Sequence, residues 1–479
     1  MFDKVLVANR GEIAMRVIRG CRDLGIRTVA VHSEADRNAA FTVLADEAVE
    51  IGPAPSAQSY LVIDRVIDAA KQTGAQAIHP GYGFLSENAA FARACADSGI
   101  VFVGPPPEAM SAMGEKVPAR ERMRASGVPI VPGTGAITTA EEAVSAAAEI
   151  GYPVLIKASA GGGGIGMKIV RSEPDLRDAL DTAQSTARRA FGNDTVFLER
   201  YLDEPRHIEI QVLADQHGHV VHLGERECSI QRRHQKIVEE TPSPVIDAEM
   251  RARMGNDAVT AARAVGYVNA GTVEFIYRDG EYYFLEMNTR LQVEHPITEL
   301  VYGVDLVAEQ LRIAAGEPLE LRQQDLQPHG HAIECRVNAE NPAKGFLPSP
   351  GQVTGYHEPA GPGVRVDSSL VAPALVSPNY DPMIAKLIVH AAGRGAALDR
   401  MRRALLEYVI TGIHTNVSYH LALLSQPEFR AGRYSTHFID QHPELIDDAL
   451  VWAERQEPLR RLVRDPARVA AIAAAIVSA

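Results

Sequence analysis

Acidic, amide and cationic side chains follow one another from Glu286 to His295, which reads Glu-Met-Asn-Thr-Arg-Leu-Gln-Val-Glu-His. A further carboxylate, Glu274, lies upstream in an alternating, strand-like run. Carboxylate oxygens suit Mg²⁺, and two carboxylates can bridge a pair of metal ions roughly 3.5–4 Å apart. A solvated acidic face is the commoner state of two strand glutamates, but it leaves the amide, the arginine and the third carboxylate unexplained. The segment therefore predicts a metal site beside an anion site.

The register of a β-hairpin decides whether Glu274 and Glu286 share a face. Two aromatic-rich strands flank Asp279-Gly280. A two-residue loop would pair Glu274 with Leu285 and would send Glu286 to the opposite face. A three-residue loop, Arg278-Asp279-Gly280 with a glycine bulge, would place both carboxylates on one face. We predict the three-residue loop.

Composition places the chain among globular proteins. Its 479 residues are 46% hydrophobic and 23% charged, enough for about three domains. No apolar run is long enough for a membrane span, and a strand begins almost at Met1, so no signal peptide is expected. The net charge of −13 argues against nucleic acid as a partner. The cysteines lack metal or redox spacing and predict a reduced, cytoplasmic protein; they are Cys21, Cys95, Cys228 and Cys335.

Strand and helix patterns alternate at the N-terminus, which indicates an α/β fold with a doubly wound parallel sheet. The predicted elements are strands Lys4–Asn9, Thr28–His32, Ala48–Ile51 and Ala77–His79, with helices Ile13–Leu24 and Leu61–Thr73. The first turn, Asn9-Arg10-Gly11-Glu12-Ile13-Ala14, lacks the glycine fingerprint of dinucleotide binding. Nicotinamide chemistry is therefore not predicted.

Two glycine-rich segments are candidate ligand loops. In His79–Asn88, glycines flank Tyr82 where a strand gives way to a helix, and Ser86 or Glu87 is the predicted helix cap; a plain tight turn is the alternative. In residues 158–168, five glycines separate two predicted strands, with Lys157 and Lys168 at the ends. Such a loop can lay backbone N–H groups over phosphates, although it is not a Walker loop and a flexible linker is the alternative.

The middle and C-terminal parts predict antiparallel strands. They are His207–Leu213, Val220–Glu225, Ala332–Asn338, Gly351–His357, Val364–Asp367 and Asp381–His390, followed by helix Ala396–Leu406. Residues 226–236 concentrate four cations and a histidine, which suits an anionic substrate. Residues 465–478 predict an alanine-rich terminal helix that begins at Asp465-Pro466.

Several of these motifs, in this order, resemble the biotin carboxylases of the ATP-grasp superfamily. The resemblance runs from Val5 to about Phe438 and is carried by the segments Val5–Ala14, His79–Asn88, the glycine loop, Gln231–Lys236, Glu286–His295 and Phe346–Gly351. It implies a Rossmann-like domain over residues 1–112 and an ATP-grasp domain over 113–330, with a mobile lid at about 132–203. A mixed β/α cap over 331–445 and a helical tail over 446–479 would follow.

The resemblance also implies residue roles. Arg290, Glu294, Arg336 and Lys236 would be catalytic, with Glu294 as the base. ATP would contact Lys116, Lys157, Gly162, Gly163, Gly164, Glu199, Leu202, His207, His234, Ile276 and Leu285. Bicarbonate would contact Lys236, Arg290, Gln292, Val293 and Glu294. Biotin would contact Tyr82 and Arg336, and the metal ligands would be Glu274, Glu286 and Asn288. From the residues alone, His207 reads as a structural strand histidine.

The implied reaction is the ATP- and bicarbonate-dependent carboxylation of biotin through carboxyphosphate, with two Mg²⁺ or Mn²⁺ ions. The chain carries no biotin-attachment motif, so a separate biotin carboxyl carrier protein and carboxyltransferase subunits are expected. The resemblance alone implies a homodimer, to which the helix bearing Arg19 would contribute. Acetyl-CoA carboxylase is the first expectation for the complex, with pyruvate or another acyl-CoA carboxylase as alternatives. The family often has a basic residue where this chain has Ile165, which predicts weaker lid contacts to phosphate unless Lys168 compensates.

Two other interpretations compete with this one. Another ATP-grasp ligase, joining a carboxylate to an amine, would share the ATP and metal sites but would not require Tyr82, Arg336 and the 290–294 segment together. A non-catalytic scaffolding homologue would be expected to have lost Glu274, Glu286, Lys236 or Arg290, and all are present.

Overall fold

The computed structural model describes residues 1–114, 116–158, 167–191 and 194–464. The chain divides into two compact units. The first comprises Met1–Gly114, Arg206–Glu274 and Met287–Ala479, and the second comprises Glu115–Pro205 and Phe275–Glu286. The predicted glycines Gly162, Gly163 and Gly164, the departure Ile165 and the terminal helix over 465–478 lie outside the described residues.

The N-terminal part is the predicted doubly wound sheet. Its elements are β1 (Lys4–Val7), α1 (Gly11–Asp23), β2 (Arg27–Ser33), α2 (Ala40–Leu44), β3 (Glu47–Gly52), α3 (Ile63–Thr73), β4 (Ala77–His79), α4 (Ala89–Asp97), β5 (Val101–Phe102) and α5 (Pro107–Gly114). The strands are parallel in the order β3-β2-β1-β4-β5. Successive β1 side chains point to opposite faces, so Val5 packs with α1 while Leu6 packs with α3 and α4.

The first unit continues with long antiparallel strands. Its middle elements are β9 (Arg206–Ala214), β10 (Val220–Arg232), β11 (Gln235–Thr241), α9 (Ala248–Ala264), β12 (Asn269–Arg278), β13 (Glu281–Asn288), α10 (His295–Tyr302) and α11 (Leu306–Ala314); β12 and β13 have their hairpin ends in the second unit. The elements between α5 and β9 belong to the second unit. They are α6 (Lys116–Ala125), α7 (Ala140–Ile150), β6 (Val154–Ala158), β7 (Lys168–Val170), α8 (Leu176–Phe191) and β8 (Val196–Arg200). There, β6 lies between β7 and β8.

The C-terminal part adds strands to the same antiparallel sheet. Its elements are β14 (His331–Asn338), β15 (Glu340–Asn341), β16 (Leu347–Pro348), β17 (Gly351–Val353), β18 (Gly355–His357), β19 (Val364–Ser368), β20 (Ala374–Val376), β21 (Met383–Ala391), α12 (Arg394–Glu407), β22 (Val409–Thr411), α13 (Val417–Leu423), α14 (Pro427–Arg430), α15 (Phe438–Gln441) and α16 (Leu445–Arg464). The eight-stranded sheet has the order β13-β12-β9-β10-β11-β14-β21-β19. Short 3-10 turns cover Glu34–Asp36, Ser56–Gln58, Glu173–Asp175, Gln323–Asp325 and Pro342–Lys344.

Two predicted details are corrected. The hairpin loop has two residues, because β12 ends at Arg278 and β13 begins at Glu281. Asp279 (φ 49°) and Gly280 (φ 86°) are both left-handed, as an Asp-Gly type I′ turn requires, so the three-residue loop was wrong. The predicted strand Gly351–His357 is broken, since β17 pairs with β20 while β18 pairs with β22. Across the described ranges, no helix is both long and apolar enough to cross a bilayer.

Candidate active site

Lys236, in β11, is the centre of a charged cluster in the first unit. Its ammonium Nζ lies 2.5 Å from Glu209 Oε2, 2.9 Å from Glu274 Oε1 and 2.7 Å from Glu294 Oε1. An ammonium group has three hydrogens, and each has a carboxylate acceptor here. Burial alone would lower the pKa of Lys236, but the three carboxylates raise it well above its usual value. Lys236 is therefore charged at neutral pH.

Glu294, which directly precedes α10, lies between two cations. Its Oε1 accepts a hydrogen bond from Lys236, and its Oε2 accepts one from Arg336 Nη2 at 2.8 Å. Burial would raise the pKa of Glu294, but Lys236, Arg336 and Arg226 together lower it well below its usual value. While these contacts persist, Glu294 is ionised and is a weak base.

Arg336, in β14, has a second carboxylate partner that was not predicted from the sequence. Its Nε donates to Glu239 Oε1 at 2.5 Å, and Glu239 is fully buried in β11. Burial raises the pKa of Glu239 to about 7 against the opposing charge of Arg336. Glu334 lies opposite Glu239 on β14. Arg336 is therefore fixed between two buried carboxylates, Glu239 and Glu294.

Glu274 is the most heavily bonded carboxylate of the cluster. Besides Lys236, its Oε1 accepts hydrogen bonds from Asn288 Nδ2 and Gln292 Nε2, each at 2.9 Å. Its Oε2 lies 3.0 Å from His207 Nε2. Burial would raise the pKa of Glu274, but Lys236 and His207 lower it well below its usual value. Four other predicted site residues therefore meet at one carboxylate.

The donor set around Glu274 fits a divalent cation. His207, Glu209 and Glu274 each offer one ligand atom, and these atoms lie within 4.8 Å of one another. Carboxylate oxygens are the ligands that Mg²⁺ prefers in proteins. Glu209 is fully buried in β9 and was not predicted. Glu286, the other predicted carboxylate ligand, belongs to the second unit.

Arg290 is held by Glu87, which was expected, with Ser86, to be a helix cap. Glu87 instead accepts hydrogen bonds from the Thr289 N–H at 3.0 Å and from Arg290 Nε at 2.9 Å. The cap of α4 is Asn88, whose side chain accepts a backbone N–H at 3.0 Å. The predicted cap was wrong because an acidic residue just before a helix can either cap the helix or form a long-range ion pair, and the sequence does not distinguish the two. Glu87 thus links the loop at residues 79–88 to the segment Glu286–His295.

The loop that carries Tyr82 is anchored by the N-terminal motif. Asn9 Nδ2 donates to the backbone oxygens of Pro80 at 2.7 Å and Tyr82 at 2.8 Å. The glycines on each side, Gly81 (φ 62°) and Gly83 (φ 69°), are left-handed, which favours glycine at both positions. The buried Tyr82 hydroxyl has no hydrogen-bond partner among the described residues, so it is available to a ligand.

Arg226, in β10, is the buried support of the cluster. It is 0% exposed, and its Nε donates to Glu209 Oε1 at 2.5 Å. Its two terminal nitrogens donate to Gln211, Thr298, Thr272 and Gln292, at 2.6, 3.1, 3.0 and 2.7 Å. The Gln292 amide is thereby fixed between Arg226 and Glu274.

The cations of residues 226–236 do not act as one cluster. Arg232 donates to Glu340 at 2.9 Å and lies over the Phe346 ring, 4.1 Å from its centroid. Arg233 (φ 52°) and His234 (φ 65°) form the exposed turn between β10 and β11. The expectation of a single cation cluster was wrong because the register of β10 shifts between Glu227 and Gln231, which separates the side chains before and after this irregularity.

The second unit holds most of the predicted ATP residues. Lys157, on β6, and Arg120, on α6, both pair with the carboxylate of Glu199 on β8. Leu202 is buried, and Ile276 and Leu285 are half-buried. The backbone of Lys116 begins α6, and its side chain lies outside the described residues. In this unit Glu199 is thus an ion-pair partner of two cations.

Removing the charge of Glu87 is expected to weaken anion binding. In Glu87→Gln the Arg290 guanidinium loses its ionic partner, so we expect the KM for bicarbonate to rise roughly tenfold while the KM for ATP is unchanged. Steady-state ATP hydrolysis at varied bicarbonate measures both. Glu50→Gln is the matched control, since Glu50 also accepts from an arginine, Arg37, at 2.6 Å with similar exposure. Equal bicarbonate KM values for the two variants would contradict the role of Glu87 in holding Arg290 for anion binding.

Family models match most of the chain. The model for the biotin carboxylase N-terminal domain matches residues 1–110. The model for the carbamoyl-phosphate synthase L chain ATP-binding domain matches residues 115–322. The biotin carboxylase C-terminal domain model matches residues 334–441.

Curated relatives and solved structures give the same result. The chain is 55% identical over 483 residues to a pyruvate carboxylase subunit of Methanothermobacter thermautotrophicus, covering 99% of this chain and 98% of that protein. It is 55% identical over 445 residues to biotin carboxylase 1 of Bacillus subtilis, covering 92% and 99%. The biotin carboxylase domain of Hydrogenobacter thermophilus 2-oxoglutarate carboxylase, a dimer in complex with MgADP, ADP and bicarbonate, has a TM-score of 0.85 at 49% identity and covers 93% and 99%. This chain therefore belongs to the biotin carboxylase family of ATP-grasp enzymes.

Proposed function

We propose that this chain uses ATP and bicarbonate to carboxylate biotin that is attached to a separate carrier protein. The observation that carries the proposal is the position of Glu294, a carboxylate held between Lys236 and Arg336 in the same unit as Arg290. Two cations around a basic group suit an anionic substrate that must lose a proton. In the proposed first step, a bicarbonate oxygen attacks the γ-phosphorus of ATP, the bond to ADP breaks, and carboxyphosphate forms.

Bicarbonate binding itself would make Glu294 a better base. The pKa of Glu294 is low because Lys236 and Arg336 contact it and outweigh the effect of burial. A bicarbonate ion that accepts hydrogen bonds from Lys236 and Arg290 takes part of that positive charge for itself. The proton affinity of Glu294 then rises at the moment when a proton must be taken from bicarbonate.

The metal and nucleotide parts of the proposal rest on the donor sets. Mg²⁺ or Mn²⁺ held by Glu274, with Asn288 as a further proposed ligand, would neutralise the phosphate charge that develops in the transfer. Glu286 is proposed as a ligand on the family resemblance alone, because the two-residue hairpin loop removes the argument from a shared face. Lys116, Lys157 and His207 would hold ATP phosphates, and residues 132–203, with glycines 162–164, would exclude water from carboxyphosphate. The adenine would meet Glu199, Leu202, His234, Ile276 and Leu285.

In the second step Arg336 would act on biotin. Carboxyphosphate breaks down to CO₂ and phosphate, and the phosphate takes the proton from the ureido nitrogen of biotin. The resulting enolate attacks CO₂, and its negative oxygen is stabilised by the Arg336 guanidinium. Tyr82 would lie against the biotin ring, with its unpaired buried hydroxyl as a polar contact.

The proposed assembly follows from this reaction. A biotin carboxyl carrier protein, carboxyltransferase subunits and a second copy of this chain are the proposed partners, and the proposed location is the cytoplasm. The functional division into residues 1–112, 113–330, 331–445 and 446–479 is part of the same proposal. The four cysteines are free and buried.

A 2-oxo acid carboxylase is the second candidate for the complex that this chain serves, beside acetyl-CoA carboxylase. The archaeal pyruvate carboxylase relative matches 99% of the chain, whereas the B. subtilis biotin carboxylase matches 92%. Co-purification of the tagged chain with its carboxyltransferase, followed by carboxylation assays with acetyl-CoA and pyruvate, distinguishes the two candidates.

The test of the reaction is phosphate release from ATP by the purified chain with Mg²⁺, with and without bicarbonate and free biotin. We expect release to require bicarbonate and to increase with biotin. In Arg336→Ala the stimulation by biotin should be lost while nucleotide binding persists, since Arg336 is assigned to the biotin step. Turnover that ignores both bicarbonate and biotin would point to another ATP-grasp ligase, and absence of turnover in a folded, ATP-binding protein would favour the scaffold interpretation.

A further inference from the structure

Lys386, in β21, is a buried cation that the proposed reaction does not use. It is 0% exposed and lies between Arg336 on β14 and Asp367 on β19 in the cross-strand register. Its Nζ donates to the backbone oxygen of Val293 at 2.9 Å. Burying an ammonium group is costly unless it is paired, so the interactions of Lys386 need an explanation.

The charges around Lys386 come from two separate parts of the chain. Glu12 Oε2, on α1, lies 3.3 Å from the ammonium, and Asp367 Oδ2 lies 3.8 Å from it. Neither Glu12 oxygen accepts another hydrogen bond among the described residues. Asp367 is already held by Arg365 through two bonds of 2.8 Å. The charge of the buried Glu334, on β14, also acts on Lys386, but Glu12 is the carboxylate that lies nearest the ammonium. The Arg10-Gly11-Glu12 turn therefore supplies the main ionic partner of Lys386.

The bond to Val293 reaches the proposed base through one rigid peptide. The Val293 carbonyl and the Glu294 N–H belong to the same planar unit, so a donor that fixes the carbonyl also fixes where the Glu294 Cα lies. Glu294 makes no side-chain cap to α10, and its carboxylate must meet both Lys236 and Arg336. The local backbone hydrogen bonds are long, 3.3 Å from the His295 N–H to the Gln292 oxygen and 3.4 Å from the Ile297 N–H to the Glu294 oxygen. Lys386 adds the shorter bond of 2.9 Å to the Val293 oxygen.

We propose that Lys386, held by Glu12, is a positioning residue for the carboxylation reaction because it fixes the Val293 carbonyl and thereby the backbone that carries Glu294. The inference rests on the proposed function. It concerns the placement of the base, and Lys386 itself does not touch the reacting atoms.

Lys386→Met tests the anchor because it keeps the length of the side chain and removes the ammonium. We expect kcat/KM for bicarbonate to fall roughly 10- to 100-fold, with the affinity for ADP unchanged. Amide hydrogen exchange in the peptide spanning 289–296 should become faster. Lys4→Met is the matched control, because Lys4 also donates to a backbone oxygen, that of Thr73 at 2.6 Å, and pairs with a carboxylate, Glu47. The control should change neither measurement.

A double variant separates positioning from charge balance. Burial raises the pKa of Glu12 to about 7 although Lys386 opposes it, so Glu12 is only partly ionised near neutral pH and Glu12→Gln removes less than a full charge. Combined with Lys386→Met, it removes the charge of the carboxylate that lies nearest the missing ammonium. We expect the thermal stability of this double variant to exceed that of Lys386→Met, while bicarbonate turnover stays low because the Val293 oxygen still lacks its donor. Restored turnover in the double variant would overturn the proposal.

The exchange measurement keeps the two proposals distinguishable. If the unmodified chain shows no bicarbonate-dependent turnover, the proposed function fails, and exchange in residues 289–296 still decides whether Lys386 anchors this segment. If the unmodified chain is active and Lys386→Met has normal kcat/KM and normal exchange, the positioning role is wrong and the proposed function stands.

Discussion

Replacement of Lys236 by methionine is expected to lower bicarbonate-dependent ATP hydrolysis by roughly 100- to 1000-fold. The ammonium is the shared partner of Glu209, Glu274 and Glu294, so its loss removes a proposed bicarbonate donor and leaves three buried carboxylates close together. The measurement is bicarbonate-dependent ATP hydrolysis by Lys236→Met at saturating ATP. The control is Lys71→Met, which changes an exposed lysine of α3. Wild-type turnover in Lys236→Met would place the anion site elsewhere.

The same variant should also acquire a distinctive pH dependence of stability. In the unmodified protein Lys236 and the other cations outweigh burial and keep the pKa values of Glu274 and Glu294 low, so the stability from these groups is present above the unfolded pKa and is lost only as pH falls through the lower folded values. Without Lys236 the folded pKa values rise above the unfolded ones. The folded state then binds more protons, and Lys236→Met becomes more stable as pH falls from about 8 toward 5. Thermal melts over this range measure the sign, and a variant that loses stability on acidification would contradict it.

Arg226→Met is expected to give the largest loss of folding stability, about 3–5 kcal/mol. The guanidinium is fully buried and donates to five side chains, so its removal leaves acceptors without donors in the interior. The single tryptophan, Trp452 in α16, reports on the same unit during urea unfolding. A shift of the midpoint at constant slope is the expected result.

Two variants control the Arg226 measurement. Arg37→Met removes an exposed ion pair with Glu50 and should cost at most about 1 kcal/mol. Arg226→Lys keeps the charge but cannot reproduce the planar fork of donors, so it should lie between the other two. Equal midpoints for Arg226→Met and Arg37→Met would show that the buried network contributes no more than a surface pair.

The elements of the N-terminal sheet were predictable from local patterns. Strand Ala77–His79 has the predicted bounds, and the helix predicted at Ile13–Leu24 is observed at Gly11–Asp23. Buried parallel strands and amphipathic helices differ in period and length, so each is visible within a short window. The prediction of the hairpin loop was wrong because Asp279-Gly280 satisfies a type I′ turn by itself, and the expected placement of Glu274 and Glu286 on one face was given more weight than this local preference.

The second partners of the site residues could not be predicted in the same way. Glu209, Glu239 and Arg226 lie on strands, and an alternating pattern in the sequence shows only that a residue shares a face with its neighbours. Which carboxylate meets Lys236 depends on the register between strands that are distant in sequence. Glu87 was predicted to cap a helix, whereas it binds Arg290. The spacing of residues along the sequence does not show that Arg290 lies close to it.

The saturation of Glu274 and Lys236 has a thermodynamic consequence. Lys236 at the centre has three carboxylate partners, so a metal ion at the proposed ligand Glu274 would displace an ammonium contact. The Lys236 N–H group that loses its carboxylate acceptor in this way would then donate a hydrogen bond to an incoming anion. Metal and anion thus remove each other's competitors, and linkage requires that each tighten the binding of the other by the same factor. This cooperativity needs no change of conformation, because it is an exchange of counter-ions within a fixed frame.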